Sequence, residues 1–350
     1  MTAPLQNITT YPICLLKGPF KMKTKIAVIG SNSFSGSDFI DLLLKDKDNS
    51  VIGISRSPEK SPLFLLYKRH KNPHFKFYQM DLNENMPAIL ALLDSFEPDY
   101  VVNFSAQSEV APSWDTPWDW YRTNVVALSR LSHHLKDAKY VKRYVHISSP
   151  EVYGSCNDIK EDAQFNPSTP YATSKAAADM HLSTYVKQYQ FPLVTVRSTN
   201  VYGSHQQLHK LIPKSICSIK AKLPIPLDGA GIAVKSYIHI RDISRGELLI
   251  MKKGKIGEIY HLSPDNGVAV RDVVKMICEM MGANFNGATQ ERPERPGQDP
   301  IYTIDSTKAR KELGWGPQVS LSDGINGVIE WVNLYWDEIK AQPLTYIHKP

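Results

Sequence analysis

The stretch Ile26-Ala-Val-Ile-Gly30-Ser-Asn-Ser33-Phe34-Ser35-Gly36 decides the fold. Four apolar residues run straight into a glycine, with no polar residue among them. Such a run reads as a strand buried on both faces. A glycine at its end lets the backbone turn sharply, and a helix follows. The first amides of a helix have no partner within it and suit a pyrophosphate. Gly30, Ser33, Phe34, Ser35 and Gly36 are therefore the first cofactor candidates, with Ser33 where a middle glycine is common. Ordinary turns want glycine too, so the weight lies on the position after the first buried strand.

Outward from this turn, apolar and β-branched runs recur at Lys25–Ile29, Val51–Ser55, Phe75–Gln79, Tyr100–Phe104, Arg143–Ser148 and Leu193–Arg197. Helical stretches are expected over 36–46, 85–96, 118–138 and 171–190. Strict alternation of strand and helix predicts an α/β fold, a Rossmann-type doubly wound parallel sheet. Beyond about residue 200, Pro and Gly become frequent and the runs shorten. We expect a smaller mixed α/β substrate-binding lobe there, covering the carboxyl ends of the sheet, where such folds bind ligands. The expected division is an N-terminal extension at 1–22, a dinucleotide-binding domain at 23–199 and mainly substrate-binding chain at 200–350. Met22 stands as an alternative start.

After the second run the chain reads Gly53-Ile-Ser-Arg56-Ser57. An NAD site usually places an acid there for the ribose 2′-hydroxyl. Here a guanidinium is available instead, and its geometry suits a phosphate. The expectation is NADP, with NAD as second choice. Asp81 and Leu82, after the third strand, are placed to meet the adenine.

The chemistry points to Tyr171-Ala-Thr-Ser-Lys175, with Glu151 before it. A phenol has a pKa of about 10, and bringing it near 7 requires favouring the phenolate by roughly 4 kcal/mol. A Lys four residues on shares a helix face with the Tyr and sets an ammonium beside it. The Pro167-Ser-Thr-Pro170 segment signals the helix start. Spacing alone decides nothing, because Tyr67 and Lys71 repeat it in a Pro-bounded basic segment. The surroundings of Tyr171 carry the reading.

The bulk numbers agree with a soluble enzyme. The net charge of +6 suits an anionic nucleotide and is too mild for nucleic acid. The run Lys68-Arg69-His70-Lys71 reads as a solvated loop. Cys14, Cys156, Cys217 and Cys278 stand far apart without a CxxC, which fits a reducing, cytoplasmic setting. Cys156 is expected to be inert. No apolar stretch approaches the length of about 20 residues that a membrane helix needs. His205 and His209 have helical metal spacing but no third ligand, so no metal is expected.

Together these residues resemble the extended short-chain dehydrogenase/reductase family, and within it the nucleotide-sugar 4,6-dehydratases. The likeness runs from Lys23 to about Trp331. It is carried by Asn103-Phe-Ser105-Ala106-Gln107-Ser108, Ser148-Ser149-Pro150-Glu151-Val-Tyr-Gly154, Tyr171-x3-Lys175 and Arg197-Ser198-Thr-Asn200-Val-Tyr-Gly203. Lys210-Leu211-Ile-Pro213, Arg295-Pro-Gly-Gln-Asp299 and Asp305 through Trp315 extend it. Some segments lean toward GDP-mannose dehydratases and others toward dTDP-glucose dehydratases, so the base stays open.

The resemblance implies Ser149, Glu151, Tyr171 and Lys175 as the catalytic set. Pro150 replaces the acid that dTDP-glucose dehydratases carry, so protonation of the C6 leaving group falls to Glu151 or a water. The resemblance adds Ser105, Ala106, Asn124, Ser148 and Ser198 to the cofactor contacts. For the nucleotide-diphosphate sugar it implies Gln107, Ser108, Asn200, Lys210, Leu211, Lys235, Tyr237, Arg295 and Asp299, besides Ser149 and Glu151. A homodimer through a four-helix bundle follows, using helices 118–138 and 171–190. The alternatives are a 4-epimerase, a 5,6-dehydratase and, more remotely, a non-catalytic NADP-binding regulator.

Overall fold

A computed structural model describes residues 23–69 and 71–349. The expected N-terminal extension, with Met22 and Cys14, lies outside the described residues, as does His70.

Seven parallel strands form the main sheet. In chain order they are β1 (Thr24–Ile29), β2 (Asn49–Ser55), β3 (Phe75–Gln79), β4 (Tyr100–Asn103), β5 (Arg143–Ile147), β6 (Leu193–Ser198) and β7 (Ile259–Leu262). Across the sheet they run β7-β6-β5-β4-β1-β2-β3. The order reverses between β1 and β4, where Ile29 pairs with Asn103. This is the switch point at which doubly wound sheets hold ligands.

Alternate side chains of β1 explain its unbroken apolar run. Ile26 and Val28 pack on one face with Phe39, Ile40 and Ile243. Ala27 and Ile29 pack on the other with Ile89, Leu93, Leu131 and Leu182. Period-two geometry thus buries every residue, because helices cover both faces. Helices Phe34–Leu43 and Ile240–Lys253 supply the first cover. Helices Met86–Phe96, Leu128–Leu135 and Pro170–Tyr189 supply the second.

Three features differ from the sequence expectation. β3 is an edge strand and is not buried on both faces. β7 comes from beyond residue 200 and completes the main sheet beside β6, with Thr195 opposite Ile259. The expected helix 118–138 is three pieces: Pro117–Tyr121, a π-helical Arg122–Ala127 and Leu128–Leu135.

A four-stranded mixed sheet stands over the carboxyl ends. It contains Val268–Ala269, Val234–Lys235, Ile301–Ile304 and Cys156–Ile159 in that order. A separate core behind it gathers Ile212, Ile216, Val273, Ile277, Val328 and Val332.

Candidate active site

β5 ends at Ile147 and delivers Ser148 and Ser149 to the carboxyl edge. Ser149 is extended and caps a short 3-10 turn, Pro150–Tyr153, by accepting the Glu151 N–H at 3.2 Å. Pro150 fits the first position because no N–H is needed there. The turn fixes Glu151 close behind Ser149. Thr169 caps helix Pro170–Tyr189 by accepting the Ala172 N–H at 3.1 Å, with Pro170 again in the first turn. One face of that helix presents Tyr171, Lys175 and Asp179 inward, and all three are buried.

Lys175 spans from helix to strand. Its Nζ donates to the Ile147 carbonyl at 2.8 Å. Burial lowers its pKa to about 8, with Asp179 working against that and Arg197 adding to it. Burial and then the Glu151 carboxylate push the Tyr171 phenol above its ordinary value, and the Ser149 hydroxyl works the other way. The Lys175 ammonium is engaged at the end of β5, and at the phenol the Ser149 hydroxyl opposes the rise.

Behind Lys175 lies a buried charge chain. Asp179 accepts the Ser148 hydroxyl at 2.7 Å and Arg197 Nη2 at 2.7 Å. His146 Nε2 stands 3.2 Å from the same carboxylate. Arg197 also donates to the Tyr153 hydroxyl, which in turn donates to His261 Nε2 at 2.9 Å. Burial works against the Asp179 charge, but Arg197 and His146 overcome it and hold the carboxyl far below its ordinary value. Ser148 spends its hydroxyl on this chain.

The smaller lobe faces Tyr171 with polar groups. Lys235 pairs in register with Tyr302, and its ammonium lies 5.2 Å from the Tyr302 ring centre. Tyr302 donates to Asn200 Oδ1 at 2.6 Å, and Tyr237 pairs in register with Asn200. Asp299 accepts the Ser168 hydroxyl at 2.9 Å. Glu151 feels these neighbours. Burial raises its pKa, Lys235 opposes this, Asp299 reinforces it, and Lys210 and Arg295 oppose it more weakly. The lobe therefore brings Lys210, Lys235, Arg295 and Asp299 within electrostatic reach of Glu151, with Asn200 and Tyr237 joined to them through Tyr302 and strand pairing. Lys210 is paired with Glu109 at 2.7 Å, and Arg295 Nε with Asp228 at 3.2 Å. Leu211 opens helix Leu211–Ala221 and packs against the second core.

The dinucleotide side is a cleft of about 690 Å³, within the range of small-molecule and cofactor sites. Gly30, Ser33, Arg56, Asp81, Leu82 and Ser105 line it, together with Ala106, Gln107 and Ser108. Phe34, Ser35, Gly36, Asn124, Ser148 and Ser198 do not line it. Gly30 has φ +86°, and a Cβ there would lie 2.7 Å from the Phe104 carbonyl carbon and the Ser105 nitrogen. Only glycine lets the turn approach β4 this closely. A Cβ on Gly36 would lie 2.4 Å from the Gly30 carbonyl oxygen, so both glycines are required. Ser33 accepts the Gly36 N–H at 3.0 Å and caps the helix. The cradle fits a dinucleotide, with helix amides at its floor.

Asn124 braces the wall. It accepts the Gln107 N–H at 2.9 Å and donates to the Gln107 carbonyl at 3.0 Å and to Ser174 Oγ at 2.9 Å. Asp81 accepts the Asn83 N–H at 2.7 Å and shapes the turn after β3.

Sequence reasoning missed several members of the site. Asn32 donates to the Ser57 and Pro58 carbonyls at 2.8 and 3.0 Å and holds the loop after β2. Tyr302 completes the substrate side. Glu109 accepts from both His209 and Lys210. Gln342, Pro343, Thr345, Tyr346, Ile347 and Lys349 line the cleft from far along the chain. Tyr302 stands beside the quoted Asp299 motif, Asn32 lies within the Gly30–Gly36 stretch and Glu109 follows Ser108, whereas the residues from Gln342 onward carry no local signal.

His205 is committed to the Leu63 carbonyl at 2.7 Å, and no group of three His, Cys, Asp or Glu residues is arranged for a metal among the described residues. Burial pushes the Cys156 thiol up to about 11.

Comparison with known proteins gives a consistent result. The profile of the GDP-mannose 4,6 dehydratase family matches residues 28–328. The chain is 30% identical over 321 residues to dTDP-D-glucose 4,6-dehydratase of Bos taurus, covering 89% of this chain and 90% of that one. It is 27% identical to a trifunctional UDP-glucose 4,6-dehydratase of Arabidopsis thaliana, of which it spans 49%. The dTDP-glucose 4,6-dehydratase DesIV of Streptomyces venezuelae, solved with NAD bound, superposes with a TM-score of 0.84 at 29% identity, over 90% of this chain and 98% of that one. A UDP-glucuronic acid 4-epimerase of Bacillus cereus, also with NAD, superposes at 0.82 with 25% identity, over 89% and 99%.

Proposed function

The chain belongs to the nucleotide-sugar 4,6-dehydratases of the extended short-chain dehydrogenase/reductase family, and we propose that it converts a nucleotide-diphosphate hexose into its 4-keto-6-deoxy derivative. One observation favours this over epimerisation. Glu151 lies close enough to Tyr171 for its charge to act on the phenol, and burial raises its own pKa, the condition of a carboxyl that takes and returns a proton. A 4-epimerase has no use for an acid there.

In this reading Tyr171 takes the O4 proton as C4 is oxidised, and Ser149 hydrogen-bonds the oxygen on which charge collects. The C5 proton, acidified by the new ketone, passes to Glu151. Glu151 then gives a proton to the departing C6 hydroxide, because Pro150 has none to offer. Tyr171 or solvent returns a proton to C5. A nicotinamide dinucleotide held in the cleft would supply a hydride acceptor for C4 and a hydride donor for C6, so the cycle would be redox-neutral. Lys175, at the end of β5, would hold its ribose. Asn200, Lys235, Tyr237 and Tyr302 face the sugar nucleotide, with Lys210 and Arg295 as cations for its phosphates.

The cofactor is a nicotinamide dinucleotide, and NADP is the form we propose. Arg56 and Lys60 stand at the end of β2 in the cleft. Glu59, the nearby acid, accepts the Tyr67 hydroxyl at 2.9 Å and pairs with Lys68. We further propose a homodimer through the helices flanking Asn124 and Tyr171. Trp118, Val126, Met180 and Tyr189 leave 47–63% of their surface exposed there, an apolar face that association would cover.

Mass spectrometry of the purified protein with GDP-, UDP-, dTDP- and CDP-hexoses, without added reductant, tests the reading. A product lighter by one water establishes dehydration and names the base. Unchanged mass with an inverted sugar centre would make it an epimerase instead.

A further inference from the structure

We propose that residues Gln342–Lys349 are a strap that clasps the bound dinucleotide, with Lys349 and Lys60 gripping one of its phosphates from opposite sides. The proposal rests on the dinucleotide reading of the cleft and goes beyond it by adding a far segment to the binding site.

The strap is held at three places. The His348 ring stacks on Trp120, with centres 5.1 Å apart and planes 8° from parallel. Its Nε2 donates to Asp119 Oδ2 at 2.8 Å. Tyr346 donates to the other ring nitrogen at 3.2 Å and meets His209 edge-on at 5.4 Å. The Lys349 carbonyl accepts Gln107 Nε2 at 2.7 Å. That last contact joins the strap to the residue whose backbone Asn124 braces. Tyr346 and Lys349 both form part of the cleft wall, alongside Arg56 and Lys60.

The arrangement sets like charges together. Partial burial, and then the ammonium of Lys349, lower the pKa of Lys60. Neither ammonium has an ion-pair partner among the described residues. Two ammonium groups lining one cleft within electrostatic reach of each other repel unless an anion lies between them. A dinucleotide phosphate is such an anion, and a charge-assisted contact to it turns the repulsion into a clasp. The His348 anchor is matched by the Asp119 carboxylate, and the Lys349 anchor uses only its backbone carbonyl, which leaves the Lys349 ammonium to serve the ligand.

The test is calorimetric titration of cofactor-stripped protein with NADP+ and NAD+, on the intact chain, Lys349→Ala and His348→Ala. Dissociation of preloaded cofactor is followed in parallel. Lys349→Ala keeps the backbone contact to Gln107, and its thermal midpoint without cofactor should match the intact chain. Weakening of at least one dinucleotide by about tenfold in Lys349→Ala, with faster dissociation in His348→Ala, is the expected result. A loss confined to NADP+ assigns the grip to the 2′-phosphate; an equal loss for both assigns it to the pyrophosphate. Unchanged affinities in both variants overturn the strap. Tighter binding also overturns it, since the segment would then be blocking the cleft. If the intact chain binds neither dinucleotide, the cofactor reading itself fails.

Discussion

The two sides of the site are held together by opposite means. On the dinucleotide side, backbone does the positioning. Glycines allow close approach at Gly30 and Gly36, and Asn32 and Asn124 tie loops through peptide groups. On the chemical side, side chains position one another. Lys175, Asp179, Arg197 and His146 form one buried cluster behind Tyr171, and Glu151, Lys235 and Asp299 form another in front. Low surrounding polarity makes each charge there depend on the others. A change on the first side should therefore stay local, and a change on the second should spread.

The largest expected effect is at the phenol. Tyr171→Phe should lower turnover by about 10²–10⁴-fold while the protein still carries its dinucleotide. Steady-state kinetics and absorbance of the purified protein measure both; a loss of cofactor together with activity would erase the division between the two sides. Next comes Asp179→Ala, which strands the Arg197 guanidinium in the interior. Denaturant unfolding should show a loss of about 3–5 kcal/mol. A variant as stable as the parent would show that the cluster does not hold this side together.

Arg56→Glu tests the local side. We expect the ratio of NADP+ to NAD+ affinity to fall by about tenfold or more, with unfolding unchanged. Equal affinities before and after would remove the 2′-phosphate reading. The smallest effect concerns acid. Burial, followed by the charge of Lys175, lowers the His146 pKa to about 4 from 6.5, against the pull of Asp179. The unfolded chain thus takes this proton first as pH falls, so the contribution of His146 to stability declines between pH 6.5 and about 4. The His146 ring signals should stay those of a neutral imidazole through that window by NMR, and His146→Gln should flatten the decline. Titration near 6.5 would break the picture of a tightly buried cluster.

The same contrast explains what the sequence disclosed. Backbone-built features leave local marks, such as the apolar run into Gly30, the Pro170 start signal and the strands of the main sheet as far as β6. Side-chain clusters join residues far apart in the chain, and nothing near Asp179 announces Arg197 or His146. β7 escaped notice because four residues amid short, Gly- and Pro-rich segments carry little periodicity. β3 misled in the other direction, since an apolar run does not say whether a further strand lies beyond it. The catalytic four were found through motif and resemblance, whereas the electrical setting of Tyr171 needed coordinates.

The π-helical turn Arg122–Ala127 constrains how this chain can change length. It takes up one residue more than an α-helical turn would. Removing a single residue there would restore ordinary α-helical winding and leave the flanking turns in nearly the same phase, because the π turn absorbs the extra residue within one turn. Trp120 and Asp119, which receive His348, precede the turn, and Leu128 and Leu131, which sit in the core, follow it. Asn124 lies inside it. A one-residue deletion would thus keep the cleft wall and the core in phase and disturb chiefly the placement of Asn124, the brace of the wall, whereas most substitutions at the exposed Val126 would disturb neither. In drifting copies of this gene, substitutions should accumulate at Val126 and be purged at Asn124.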